Sequence, residues 1–320
     1  MLALNLSRSR RRVWLISLVV VAFSILGLAL SWINPAIQAP LRPGLDFTGG
    51  TQIQLERRCD DACESFQVNA VTAALQAADL PADGATPPPS LDSARVQSLD
   101  GGASLALRLP ALSASQSQAV IEAVTPLAGP FLVGGQSVDT IGPSLGSQLL
   151  ISSLVSLLVA FAGIALYISV RYDGRYAVLA LLALAHDVVI VCGVFAWLGL
   201  AIGLEVNSLF AVALLTIAGY SVNDTVVVFD RIRERQREDG DLAITDQVDC
   251  AVSATLTRTI YTSGTTLLPL LALILFGGAT LYWFAIALAL GVIVGSWSSI
   301  ALAPSLLTIW SGASRSSARA

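Results

Sequence analysis

The chain contains no lysine, a single histidine and few charges of any kind. Only 12% of its 320 residues are charged, against roughly 25% in a soluble domain. Without lysine there is no G-x-x-x-x-G-K-[ST] phosphate loop and no Schiff-base chemistry, which removes the usual route to ATP hydrolysis. One histidine excludes most His-rich metal sites. A net charge of −4 leaves no bulk positive field for nucleic acid. What is abundant is apolar surface. Hydrophobic residues make up 55% of the chain and the mean hydropathy is +0.73, which argues against a soluble enzyme and for a chain that dissolves in a lipid bilayer.

About 20 consecutive apolar residues cross a bilayer core, and six runs qualify: Val13–Ile33, Leu149–Val170, Ala177–Leu200, Val206–Phe229, Ile260–Gly278 and Leu281–Leu302. The first follows Arg8, Arg10, Arg11 and Arg12. It is longer than a signal-peptide core and no A-x-A site follows it, so it reads as an uncleaved signal anchor. With the N-terminus inside, 13 of the 18 arginines fall on inner segments and none in the short outer loops around Gly203 and Gly278. The positive-inside bias then predicts that both termini are cytoplasmic. The expected organisation is an Arg-rich N-terminus with span one (1–33), an extracytoplasmic domain (34–146), spans two to six (147–310) with a cytoplasmic loop at 230–258, and a cytoplasmic tail (311–320).

Segment 34–146 carries 11 acidic residues and 5 arginines. Thr51–Glu56 alternates as a strand, and Glu64–Asp79 has helical spacing at Val68, Val71 and Leu75. Val96–Leu99 and Ser104–Leu109 form a strand pair across the Asp100-Gly101-Gly102 turn. Ser113-x-x-Gln116 is a capping-box sequence ahead of Val120, Ile121 and Val124, and Phe131–Ile141 is extended. This strand-helix-strand-strand-helix-strand order is that of a ferredoxin-like α+β domain, with Pro87-Pro88-Pro89 as a loop within it. Cys59 and Cys63 lie here. In an oxidising compartment they are candidates for a disulfide, although i,i+4 helical spacing is not ideal for one, and two ligands make a poor metal site.

Ionisable residues inside spans are costly and are functional candidates by default. They are His186, Asp187, Asp224 and Arg258; Asp230 and Arg231 read as a solvated helix end. Asp224 lies about five residues, roughly 8 Å at 1.5 Å per residue, from the inner surface. Arg258 lies at the start of span five, so the two are expected to meet as a neutral pair. Burial favours a protonated carboxylate and a nearby arginine favours the ionised form. Parting the pair would therefore switch proton affinity, whereas a static pair would only fix helix packing. His186-Asp187 lies near mid-membrane, either on a proton path or as a packing pair. Asn223 and Ser221 flank Asp224 and could hold water there. The threonines and serine from Thr257 to Thr266 either line a wet path or serve helix contacts.

Two stretches carry a family signature. Gly44-Leu45-Asp46-Phe47-Thr48-Gly49-Gly50-Thr51 resembles the GxDFxGG segment of the SecD/SecF family. The run from Gly219 through Asn223-Asp224 to Asp230-Arg231-Ile232-Arg233-Glu234 is similar to span four on the SecF side of that family, as are His186-Asp187 and Thr255-Leu256-Thr257-Arg258-Thr259. The resemblance covers nearly the whole chain. It implies a non-enzymatic subunit of the RND type in the inner membrane, working with SecD on the SecYEG channel. That assembly uses the proton-motive force, with no bound cofactor, to draw out exported unfolded polypeptide, and Asp224 and Arg258 match the positions used in proton coupling. The rival readings are half of an RND-type small-molecule or lipid exporter, an intramembrane protease using Asp187 and Asp224, and a passive scaffold.

Overall fold

The structure, a computed structural model, describes residues 6–59, 66–82, 88–92, 94–238 and 241–309. Cys63, Pro87 and the expected tail at 311–320 lie outside the described residues. In chain order the elements are α1 (Leu6–Ile33), a one-turn α2 (Leu45–Thr48), β1 (Gly50–Arg57), α3 (Val68–Gln76), β2 (Arg95–Leu99), β3 (Ser104–Leu109), α4 (Ala114–Ala128) and β4 (Phe131–Ile141). There follow α5 (Pro143–Arg171), α6 (Gly174–Ala201), α7 (Ser208–Glu238), α8 (Ile244–Phe276) and α9 (Gly278–Trp297). They fall into two compact units, one of residues up to Arg42 with Ser153 onward, the other Pro43–Ser152.

Among the described residues six helices are long and apolar enough to cross a membrane: α1, α5, α6, α7, α8, and α9 with its continuation to Ile309. Several outrun the hydropathy estimate. The fifth begins at Ile244 rather than at Ile260, because hydropathy marks only the lipid-facing length, while the helix continues wherever its backbone hydrogen bonds can. Arg258 consequently sits within a helix, not at its start. Beyond Trp297 the last helix widens into a π-helical turn, Ser298–Leu302.

Helices α6, α7 and α9 form the centre of the bundle. About half of each apolar span is buried, against none of α5, whose Leu158 and Val159 are exposed. In lipid there is no hydrophobic force between helices, so close packing through small residues does the work. A Cβ on Gly291 of α9 would lie 2.3 Å from Ile217 Cγ1 on α7, and one on Gly193 of α6 would lie 2.5 Å from Ser24 Cα on α1. Only glycine allows these two crossings.

In the other unit the strands form one antiparallel sheet in the order β2-β3-β1-β4. Register follows from alternation. Ile53 and Leu55 on β1 face Leu107 and Leu105 on β3, and all four are fully buried. They pack with Val71 and Leu75 of α3 and with Val120 and Val124 of α4. Helix α3 is shorter than the helical spacing suggests, covering Val68–Gln76. The capping box is present: Gln116 N donates to Ser113 Oγ at 3.3 Å and Ser113 N to Gln116 Oε1 at 3.1 Å.

Candidate functional site

The described residues bring together a polar cluster where α6, α7 and the π-helical turn meet. Asp187 is fully buried. Ser221 Oγ donates to Asp187 Oδ2 at 2.6 Å and Ser298 Oγ to the same oxygen at 2.7 Å. His186 Nδ1 lies 2.8 Å from Asp187 Oδ1; with its proton on Nδ1 the ring donates to the carboxylate. Three helical segments are thereby tied to one acid. Close by, Thr225 Oγ1 and Ser299 Oγ are 2.9 Å apart, and Ser299 Oγ donates to Ser221 O at 3.3 Å. Gly295 makes the approach possible, since a Cβ there would meet Ser221 Cβ at 3.3 Å and Asp187 Oδ2 at 3.6 Å.

Asp224 lies one helical turn beyond Ser221 on α7, on the same side of the helix. It is buried, and its Oδ2 has no hydrogen-bond partner among the described residues. The second buried acid of the bundle is therefore left open, while Asp187 is tied.

The expected Asp224–Arg258 contact does not form: no N···O distance within 4.0 Å joins the two among the described residues. Arg258 is exposed, and its charge reaches Asp224 only from beyond ion-pair range. The register of α8 explains this. Thr255, Thr259 and Ser263, spaced i,i+4, take the buried face, and Arg258 is turned away from it. Asn223 is likewise exposed, so it is not brought to either acid.

The hydroxyls of span five are mostly satisfied by their own helix: Thr262, Ser263, Thr265 and Thr266 each donate to the carbonyl four residues back. Ser263 also meets Tyr220 Oη at 3.1 Å and Ser296 Oγ at 2.6 Å. Asp230 is half exposed and 3.4 Å from Arg171, and Arg231 pairs with Glu234; α7 runs on to Glu238, so the two lie on a solvated stretch within the helix rather than at its end. Sequence reasoning missed Ser298 and Ser299. The signal was available, since Gly295-Ser296-Trp297-Ser298-Ser299 is a polar interruption of an apolar span.

The glycine-rich segment has a backbone explanation. After the single turn of α2, Gly49 and Gly50 adopt φ of +69° and +127°. A Cβ on Gly50 would lie 2.6 Å from Leu109 O, and one on Gly146 would lie 2.7 Å from Gly49 N. The segment turns the chain into β1 where the first turn of α5 crosses it, and no side chain fits there. Arg108 Nη2 donates to Thr48 Oγ1 at 2.9 Å. Burial, and then the charge of Arg95, bring its pKa down to about 10, so it remains cationic at neutral pH. Cys59 is disulfide-bonded, and the Cys63 end of the expected pair lies outside the described residues.

Comparison with known proteins follows the same two regions. Residues 130–313 match the family described as protein export membrane protein SecD/SecF, C-terminal, and residues 37–60 match the SecD/SecF GG motif. Protein translocase subunit SecF of Prochlorococcus marinus is 61% identical over 305 residues, covering 95% of this chain and 94% of that protein. The Synechocystis protein of the same name is 41% identical over 320 residues, covering 96% and 94%. The crystal structure of SecDF from Thermus thermophilus, described as a translocon-associated membrane protein, superposes with a TM-score of 0.77 at 31% identity. The match covers 97% of this chain and 39% of that one. The buried acids on α6 and α7, the glycine turn into β1 and near full-length identity agree: the chain belongs to the SecD/SecF family of protein export membrane proteins, on its SecF side, and is an accessory subunit of protein translocation.

Proposed function

We propose that the chain uses the proton-motive force to promote late steps of export through the SecYEG channel, in complex with SecD, and that Asp224 carries the proton. One observation bears most of the weight: Asp224 Oδ2 is buried without a hydrogen-bond partner among the described residues, while Asp187 is held by His186, Ser221 and Ser298. A carboxylate that cycles between protonated and ionised forms must not be locked in either. Arg258, exposed on α8, acts as the movable counter-charge, and His186 and Asp187 brace the helices rather than carry protons. Nothing in this scheme needs a bound cofactor or a catalytic step on the polypeptide, and the exported unfolded chain is its cargo.

Partnership with SecD is supported by the exposed stripe on α7, where Val212, Thr216, Gly219 and Asn223 face outward at spacings of three and four. Small and polar residues there suit a close helix contact in lipid. Ser221, which lies between Gly219 and Asn223 in the chain, is instead used inside the bundle. The reading of segment 34–146, most of which falls in the unit Pro43–Ser152, as a ferredoxin-like domain is supported by its element order and by the β2-β3-β1-β4 sheet. Its placement outside the inner membrane, with both termini cytoplasmic, rests on the arginine distribution.

Two measurements test this. Inverted membrane vesicles containing the chain and SecD should export a preprotein faster when a proton gradient is imposed, and an uncoupler should remove the gain; a gain that survives the uncoupler defeats the proposal. For orientation, exposed Cys250 should resist an impermeant thiol reagent in sealed cells and react in inverted vesicles. Labelling in intact cells would reverse the topology.

A further inference from the structure

A groove of about 700 Å³ runs along α1 in the helical unit, within the range of small-molecule sites, roughly 300–1,000 Å³. Leu15, Leu18 and Val21 of α1 line it with Leu302 and Leu306, together with Arg11, one turn before Leu15, and His186 of α6. Leu15 and Leu18 are 60% and 65% exposed. The groove is braced from both sides. Trp14 Nε1 donates to Ser305 Oγ at 2.9 Å and Trp297 Nε1 to Ser17 Oγ at 3.4 Å, which pins α1 against the segment that carries Leu302 and Leu306. The π-helical turn widens that segment, and such turns concentrate at functional sites.

We propose that this groove is a binding site for one anionic phospholipid, with a phosphate on Arg11 and an acyl chain lying along Leu15, Leu18 and Val21. Two features select this occupant over a partner helix. The first is length. Arg11 to Val21 is ten residues, roughly 15 Å at 1.5 Å per residue, half of a hydrocarbon core of about 30 Å. A spanning helix would need the whole depth, whereas an acyl chain occupies one leaflet. The second is charge complementarity. The groove's one cationic lining residue comes first along α1, where a headgroup belongs, flanked by Arg10 and Arg12, and none of these three has an ion-pair partner among the described residues. The remaining walls are apolar apart from Ser17 and His186, whose Nε2 is buried without a partner among the described residues.

The test is native mass spectrometry of the full chain, extracted in mild detergent with whatever chains accompany it, after equilibration with equal amounts of phosphatidylglycerol and phosphatidylcholine of identical acyl chains. The wild type should retain one phosphatidylglycerol with a roughly fivefold preference, the size of effect one arginine has near an anionic lipid. Leu18→Trp, which fills the groove, should lose the retained lipid. Arg11→Gln should keep a lipid but bring the preference to about one. Leu158→Trp, on the exposed face of α5, should change neither. Equal retention in wild type and Leu18→Trp overturns the site, no headgroup preference in the wild type overturns the role of Arg11, and cross-linking of a cysteine at position 18 to another polypeptide assigns the groove to a partner helix instead.

Discussion

Asp224→Asn should abolish the stimulation of export by a proton gradient, bringing the rate down to that measured with an uncoupler, while the chain accumulates at its normal level and still associates with SecD. The substitution keeps size and hydrogen-bonding capacity and removes only the titratable proton. If Asp224 were half of a static ion pair, losing it would strand a buried arginine at a cost of about 3–5 kcal/mol, and the protein level would fall. The geometry argues against that, because Arg258 is exposed and no ion pair within 4.0 Å joins it to Asp224 among the described residues. Activity and abundance should therefore separate. A membrane potential supplies about 2.3 kcal/mol per charge per 100 mV, enough to bias a two-state arrangement of helices but not to unfold the bundle. Full gradient-dependent export by the Asp224→Asn chain would remove Asp224 from the mechanism and return attention to Asp187 and His186.

Much of this architecture was legible in the residues, for a physical reason. Apolar length sets the number of spans, and arginine asymmetry suggests their direction. Alternation at Ile53 and Leu55 and the capping box at Ser113 locate elements of the sheet unit to within a few residues. The depth and facing of polar groups within a span were less legible. Hydropathy stops at the lipid boundary, so it started span five at Ile260 and put Arg258 at a helix end, where a side chain can swing toward Asp224. The helix actually begins at Ile244, and its register gives the inner face to Thr255, Thr259 and Ser263. The polar interruption at Ser298 and Ser299 is visible in the sequence, but their facing is not: nothing in a one-dimensional pattern says that a π-helical turn will aim one hydroxyl at Asp187 and its neighbour at Thr225. His186-Asp187 stood out as a costly pair, but whether it carries protons or braces helices depends on partners that lie 34 and 111 residues away in the chain.

That bracing role leads to a second large effect. Asp187→Ala should destabilise the bundle by about 2–4 kcal/mol, whereas Asp187→Asn should cost far less. A hydrogen bond contributes about 0.5–1.5 kcal/mol net, and a buried donor left without an acceptor carries a desolvation penalty of about 1–3 kcal/mol. Alanine removes the acceptor from Ser221, Ser298 and His186 together. Part of the loss is recovered, because Ser298 Oγ already lies 3.1 Å from Gly295 O and can turn to it fully. Asparagine keeps an oxygen for the two serines and turns an amide toward His186, whose ring can present an acceptor at Nδ1 by moving its proton to Nε2. The measurement is thermal unfolding in detergent alongside protein level in the membrane: a midpoint lowered by several degrees for alanine, near wild type for asparagine, with gradient-dependent export preserved in the asparagine variant. If Asp187→Asn is stable but loses gradient-dependent export as completely as Asp224→Asn, Asp187 carries protons and the division of labour between the two acids fails. If Asp187→Ala is as stable as the wild type, the serine contacts do not hold α6, α7 and the π-helical turn together.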